Sequence, residues 1–261
     1  MRDRDQEDVC ARLKALGFSA QVIEVNAAKR PDLVAIQASV RMFVEVKARM
    51  EDAALRRDME SVALNSTALV LNSLSKRNSI SSDVKRASKQ LAAAAGPDDF
   101  RLLWFRVKDG PFVHGGREQI GATLLGIRMV LCESAGVIRE QACLYAGHAD
   151  FYRFREIDGA MIEVGGPIFL ILNQFSPRAS AFAASPICTI LGSSAFDVTK
   201  VPQNDPFYVV DGDADRSSDD ALLRFLQHKY PDGRFISFLE HQAGTVVTTI
   251  DGSRRRQPRR E

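Results

Sequence analysis

The stretch PDLVAIQASVRMFVEVK, from Pro31 to Lys47, decides how this chain is read. It holds two apolar runs of strand length, Asp32 to Ala38 and Arg41 to Lys47, with a tight turn near Ser39 between them. In the second run Met42, Val44 and Val46 alternate with Phe43, Glu45 and Lys47. Successive side chains on a strand point to opposite faces, so Glu45 and Lys47 share one face and the three apolar residues take the other. An acid and a lysine therefore sit side by side at the end of a hydrophobic strand. A Pro-Asp pair opens the strand before it.

Working outward, the upstream segment from Asp5 to Leu16 is helical in pattern, with Val9, Leu13 and Leu16 on one stripe. Asp3 or Asp5 can cap its start, and Gly17 ends it. A strand from Ala20 to Val25 follows, then a loop with Lys29, Arg30 and Pro31. Downstream, Met50 to Ser75 turns helical, with Leu55, Met59 and Val62 in register, then Leu64 and Leu71. A polar break separates it from a second helix that begins near Ser82 and stops at Gly96-Pro97. RLLWFRV (101–107) reads as a buried strand, Arg117 to Leu125 as a helix and Gly126 to Cys132 as a strand. Further strands fall near Gln141 to Ala146 and Ile168 to Asn173, and Ser218 to Lys229 is a helix.

Charge is uneven along the chain. Residues 1–110 carry 19 basic and 15 acidic side chains, a net of +4; residues 111–252 carry 11 and 17, a net of −6. The last nine residues, SRRRQPRRE, hold five arginines and one glutamate and are expected to be disordered. A basic first part and a basic tail suit a polyanionic partner. No apolar run reaches the roughly 18 residues of a membrane span, and the charged start MRDRDQED is unlike a secretory signal. Both features set a cytoplasmic expectation with no membrane partner. Cys10, Cys132, Cys143 and Cys188 are scattered without a Cys-x-x-Cys pair, which fits small core residues better than a zinc site.

An acid-x-lysine triplet carries little weight alone: nine lysines and 33 acids in 261 residues give roughly one match by chance. A second match, Asp83-Val84-Lys85, falls at an expected helix start, where capping explains the aspartate. Context favours the first. Pro31-Asp32, twelve intervening residues and then Glu45-Val46-Lys47, preceded by LKALGF (13–18) and followed by Lys89-Gln90-Leu91 on a later helix, resembles the PD-(D/E)XK nuclease superfamily. The resemblance covers roughly residues 5 to 132. It implies an α/β fold with a restriction-endonuclease-like core, in the order helix, three strands, helix, strand, around a mixed central sheet. On that reading residues 1–145 are the core, 146–252 an α+β extension of unknown role and 253–261 a basic tail.

The resemblance implies that Asp32 and Glu45 hold magnesium, which manganese can replace, and that Lys47 orients or helps deprotonate the attacking water. Glu7 matches the place where several resolvase-like relatives carry an additional metal-binding glutamate, and Lys89 and Gln90 match substrate-contacting positions. The chemistry is coherent: cleaving a phosphodiester needs charge neutralised and hydroxide made near neutral pH, and magnesium bound by carboxylates does both. The implied activity is endonucleolytic hydrolysis of nucleic acid, with DNA ahead of RNA. Many relatives dimerise to cut both strands, so a homodimer belongs to the expectation, although no stretch marks an interface. The alternative is a module that kept the fold, lost the chemistry and binds nucleic acid or a protein.

The plain readings are a turn aspartate after proline and a solvent-facing Glu45–Lys47 ion pair on an edge strand. The stretch Asp211 to Asp215 lacks the glycine and glutamate of a calcium loop, and His148 with Asp150 reads as a loop. Neither a phosphate-cradling glycine loop nor a serine nucleophile elbow occurs.

Overall fold

The computed structural model describes residues 4–24, 30–49, 67–73, 78–108, 114–192, 195–200, 207–239 and 242–248. The architecture is α/β. Its centre is a seven-stranded mixed sheet in the order β1 (Ser19–Val22), β2 (Leu33–Gln37), β3 (Val40–Arg49), β5 (Phe100–Val107), β8 (Gly159–Val164), β9 (Ile168–Leu172) and β10 (Ala195–Phe196). Strands β1, β2 and β3 form an antiparallel meander, β3, β5 and β8 run parallel, and β9 is antiparallel to β8.

Helix α1 (Arg4–Ala15) buries Val9, Cys10 and Leu13 on one stripe. It ends where Gly17 takes a φ of +91°, so that the N–H groups of Gly17 and Phe18 donate to the carbonyls of Lys14 and Leu13. The β2–β3 turn is made by Ala38 and Ser39, both with positive φ, which matches the sharp two-residue geometry that twisted strands demand.

Both faces of the sheet are covered. On one, Met42, Val44 and Val46 join Leu102, Trp104, Met161 and Leu170 beneath α1, α5 (Ala179–Ala183) and α6 (Pro186–Leu191). On the other, Leu103, Phe105, Ala160 and Ile162 pack against α2 (Asn78–Ala94) and α3 (His114–Leu125). A second sheet, in the order β11 (Phe207–Val209), β7 (Val137–Leu144), β6 (Arg128–Ser134), β12 (Arg234–Leu239), continues that second core with α7 (Asp219–Lys229). The short helix α4 (Asp150–Arg153) leads into β8.

Several expectations change. The last part of the helical reading of Met50 to Ser75 is corrected: Thr67–Ser73 is a strand, β4, paired antiparallel with β13 (Gln242–Thr248). A partner distant in sequence fixes this backbone, which local periodicity cannot register. Leu55, Met59, Val62 and Leu64 lie outside the described residues, as do Val25 and the 253–261 tail. The central sheet draws β8, β9 and β10 from beyond residue 145, so this sheet does not end at the expected core boundary. Among the described residues no helix is long and apolar enough to cross a membrane.

Candidate active site

Strand β3 lies inside the sheet, hydrogen-bonded to β2 on one side and β5 on the other. Its outward period therefore does not lead to solvent. Glu45 is in register with Leu103 of β5 and only 1% exposed. The solvent-facing edge pair that the sequence allowed is corrected by this burial. On the other side, the pairing of Leu33 with Val44 carries Asp32, one residue before β2, opposite Glu45.

Asp32 is held at both oxygens. The Val46 N–H donates to Oδ2 at 2.7 Å, and the Gln6 side-chain amide of α1 donates to Oδ1 at 2.6 Å. Glu45 is held at one: Lys47 Nζ donates to Oε1 at 2.6 Å, while Oε2 is buried with no hydrogen-bond partner among the described residues. Burial first, and the neighbouring Asp32 charge second, push the Glu45 carboxyl up to about 7 against the opposing pull of Lys47. A buried carboxylate oxygen with nothing to accept from is costly, and it is a vacant acceptor beside a second carboxylate and a lysine.

The remaining sequence candidates divide. Gln90 on α2 donates to the Arg30 carbonyl at 3.1 Å, which pins the chain two residues ahead of Asp32. Lys89, one residue earlier and so about 100° round the helix, is exposed on the outer surface. Glu7 is exposed and lines an open groove with Cys10, Lys14, Gln21 and Glu24. No cluster of three or more His, Cys, Asp or Glu able to hold a metal occurs among the described residues, so Glu7 is not gathered with Asp32 and Glu45 as a third ligand. The α1 residue that does reach Asp32 is Gln6. The family resemblance does not single out Gln6, a polar residue in the first turn of α1.

Asp83, in the second acid-x-lysine triplet, is also re-read. Helix α2 starts at Asn78, so Asp83 is not a cap. It accepts instead from Arg49 of β3 and from Arg86. Arg49 extends the Glu45, Lys47 alternation by one more step. Elsewhere the plain readings fit, except that Asp150, expected in a loop with His148, is the buried first residue of α4. The four cysteines are buried and free. His148 is exposed, while buried Asp150 accepts from Ser81 Oγ at 2.8 Å and ties α4 to α2. In the 211–215 loop Asp215 accepts from the Ser217 N–H and hydroxyl, and Ser218 caps α7.

Two carboxylates and a lysine thus meet at one point of the sheet. Magnesium is commonly held by one or two carboxylates with several waters retained, so Asp32 and the unpartnered Glu45 oxygen fit such an ion. Comparison with protein-family models, with curated proteins and with solved structures finds no match, and the reading of the site rests on its geometry.

Proposed function

We propose that this chain is a metal-dependent nuclease of the PD-(D/E)XK type, built on a restriction-endonuclease-like core and cutting DNA endonucleolytically. The observation that carries the reading is the buried Glu45 oxygen without a partner, placed beside Asp32 and Lys47. The order of α1, three antiparallel strands, α2 and β5 supports it, with β4 added between β3 and α2. Asp32 and Glu45 would hold magnesium or manganese. A bound ion of this kind supplies charge stabilisation at the phosphoryl group and lowers the pKa of a water. The Lys47 ammonium, 2.6 Å from Glu45, would orient the attacking water and balance negative charge on the phosphoryl oxygens. Val46 N–H and Gln6 fix the Asp32 carboxylate, and Gln90 steadies the loop that delivers it.

The test is cleavage of plasmid and single-stranded DNA with magnesium or manganese by wild type, Glu45→Ala and Lys47→Ala. Metal-dependent cutting lost in both variants is the expected result. No cutting of DNA or RNA by wild type, with binding that survives chelation, would replace the enzyme with a nucleic-acid-binding module.

A further inference from the structure

The face of β3 that bears Glu45 and Lys47 bears a third charged residue, Arg49, two positions on. Strand geometry sets its Cα ~6.6 Å beyond that of Lys47 on the same side of the sheet. One guanidinium nitrogen of Arg49 donates to Asp83 Oδ2, and Arg86 donates to Oδ1 of the same carboxylate. Two cations and one anion leave this cluster at +1. Asp83 is the sole acid of α2, and it is buried. Arg49 Nε is also buried and meets no acceptor among the described residues. That Nε is enclosed, but the Arg49 and Arg86 side chains are 23% and 71% exposed, so terminal guanidinium N–H groups not spent on Asp83 stay open to an anion.

We propose that Arg49 and Arg86, hinged on Asp83, clasp a phosphate of the substrate chain next to the one engaged at Glu45 and Lys47. A phosphodiester carries one negative charge, which neutralises the +1 excess, and planar guanidinium forks match phosphate oxygens in geometry. Asp83 is a positioning residue: it fixes the plane of Arg49 and keeps Arg86 folded back beside it. This inference rests on the nuclease reading of the adjoining site, and it names the part of the substrate, the sugar-phosphate backbone, that this second point takes.

The experiment is fluorescence anisotropy with the full chain, a labelled duplex and its labelled single strand, in EDTA over a series of sodium chloride concentrations, alongside cleavage assays with magnesium. Arg49→Gln should weaken binding about 10-fold or more. It should also flatten the slope of log K against log salt by about 0.9 for duplex or 0.7 for single strand, one phosphate contact. Arg86→Gln, whose side chain is 71% exposed and whose loss cannot unfold the chain, should move both quantities the same way by less. Arg49→Lys should restore the slope but not the full affinity. Lys85→Gln, an exposed charge elsewhere on α2, should change affinity less than about twofold. A purely structural Arg49–Asp83 pair would lower the melting temperature and leave the salt slope alone, which overturns the clasp. If wild type binds and cuts while both arginine variants keep its affinity and slope, the clasp falls and the nuclease reading stands. If the variants lose slope but wild type cuts nothing, the clasp stands and hydrolysis falls. Wild type with no affinity for either strand form overturns both.

Discussion

Two buried glutamates on the same sheet make an instructive pair. Glu163 of β8 is 8% exposed and fully engaged: Trp104 Nε1 donates to it at 2.9 Å, and Arg12 and Arg106 each approach at 3.3 Å. Around it Arg106 also meets Asp5 and Asp8, and Lys108 meets Asp5. Glu45 of β3 is buried more deeply yet engaged at one oxygen only. Glu163 faces α1 and closes a network that ties helix to sheet, whereas Glu45 faces the α2 side and leaves a network open. The first arrangement is complete as structure, while the second leaves an acceptor open beside a neighbouring carboxylate, the feature on which the proposed cation site rests.

That contrast is tested most strongly by removing each acid. Asp32→Asn or Glu45→Ala should lower hydrolysis by at least roughly 10²- to 10³-fold, the scale of losing a principal transition-state stabiliser, while the fold persists. Glu163→Ala should do the reverse: a denaturant melt should show a loss of about 3 kcal/mol with cutting retained in the folded fraction. The lower end of the range for broken buried pairs applies because Arg106 keeps Asp5 and Asp8.

A pH series sharpens the same contrast. The raised Glu45 carboxyl favours the folded state below its unfolded value near 4.5, and that contribution is lost as pH rises through about 7. Metal-free Glu45→Gln should therefore melt higher than wild type on the alkaline side, by on the order of 2 kcal/mol, and no higher under acid conditions. Glu163→Gln should melt lower at both. Smaller effects fall on the residues that hold Asp32 in place. Gln6→Ala should reduce kcat about 10-fold, in keeping with the loss of a support to a carboxylate proposed to hold the metal. Gln90→Ala, which frees only the Arg30 carbonyl, should cost about 2- to 5-fold.

The parts of the molecule that could be read in the sequence are those fixed locally. The second strand of the Pro31–Lys47 hairpin announces itself by alternation, α1 by its apolar stripe and closing Gly17, and α7 by Ala221, Leu222, Phe225 and Leu226. What escaped depends on distant partners. Strand β8, GAMIEV, is buried on both faces and so lacks alternation, and it is too short for its apolar run to be distinctive. Its place beside β5 also carries the central sheet past residue 145. Strand β4 takes its form from β13, far along the chain. At the site, strand period sets Glu45 beside Lys47, and the family resemblance adds Asp32, which the β2–β3 register carries opposite Glu45. Glu7, which the resemblance offers as an additional metal ligand, is not gathered with Asp32 and Glu45, and the α1 residue that meets Asp32 is Gln6. Arg49 went unread because a charge at the end of a strand looks like an ordinary surface residue until Asp83 is seen to meet it.

The central claim is that Asp32 and Glu45 are a carboxylate pair made to hold a cation. Calorimetric titration of magnesium and of manganese into wild type and Glu45→Gln, one pH unit either side of about 7, tests it most directly. The account predicts binding by wild type that is tighter on the alkaline side, is accompanied by proton release on the acid side, and is absent from Glu45→Gln. No heat with wild type at either pH, or the same heat from the variant, would contradict it.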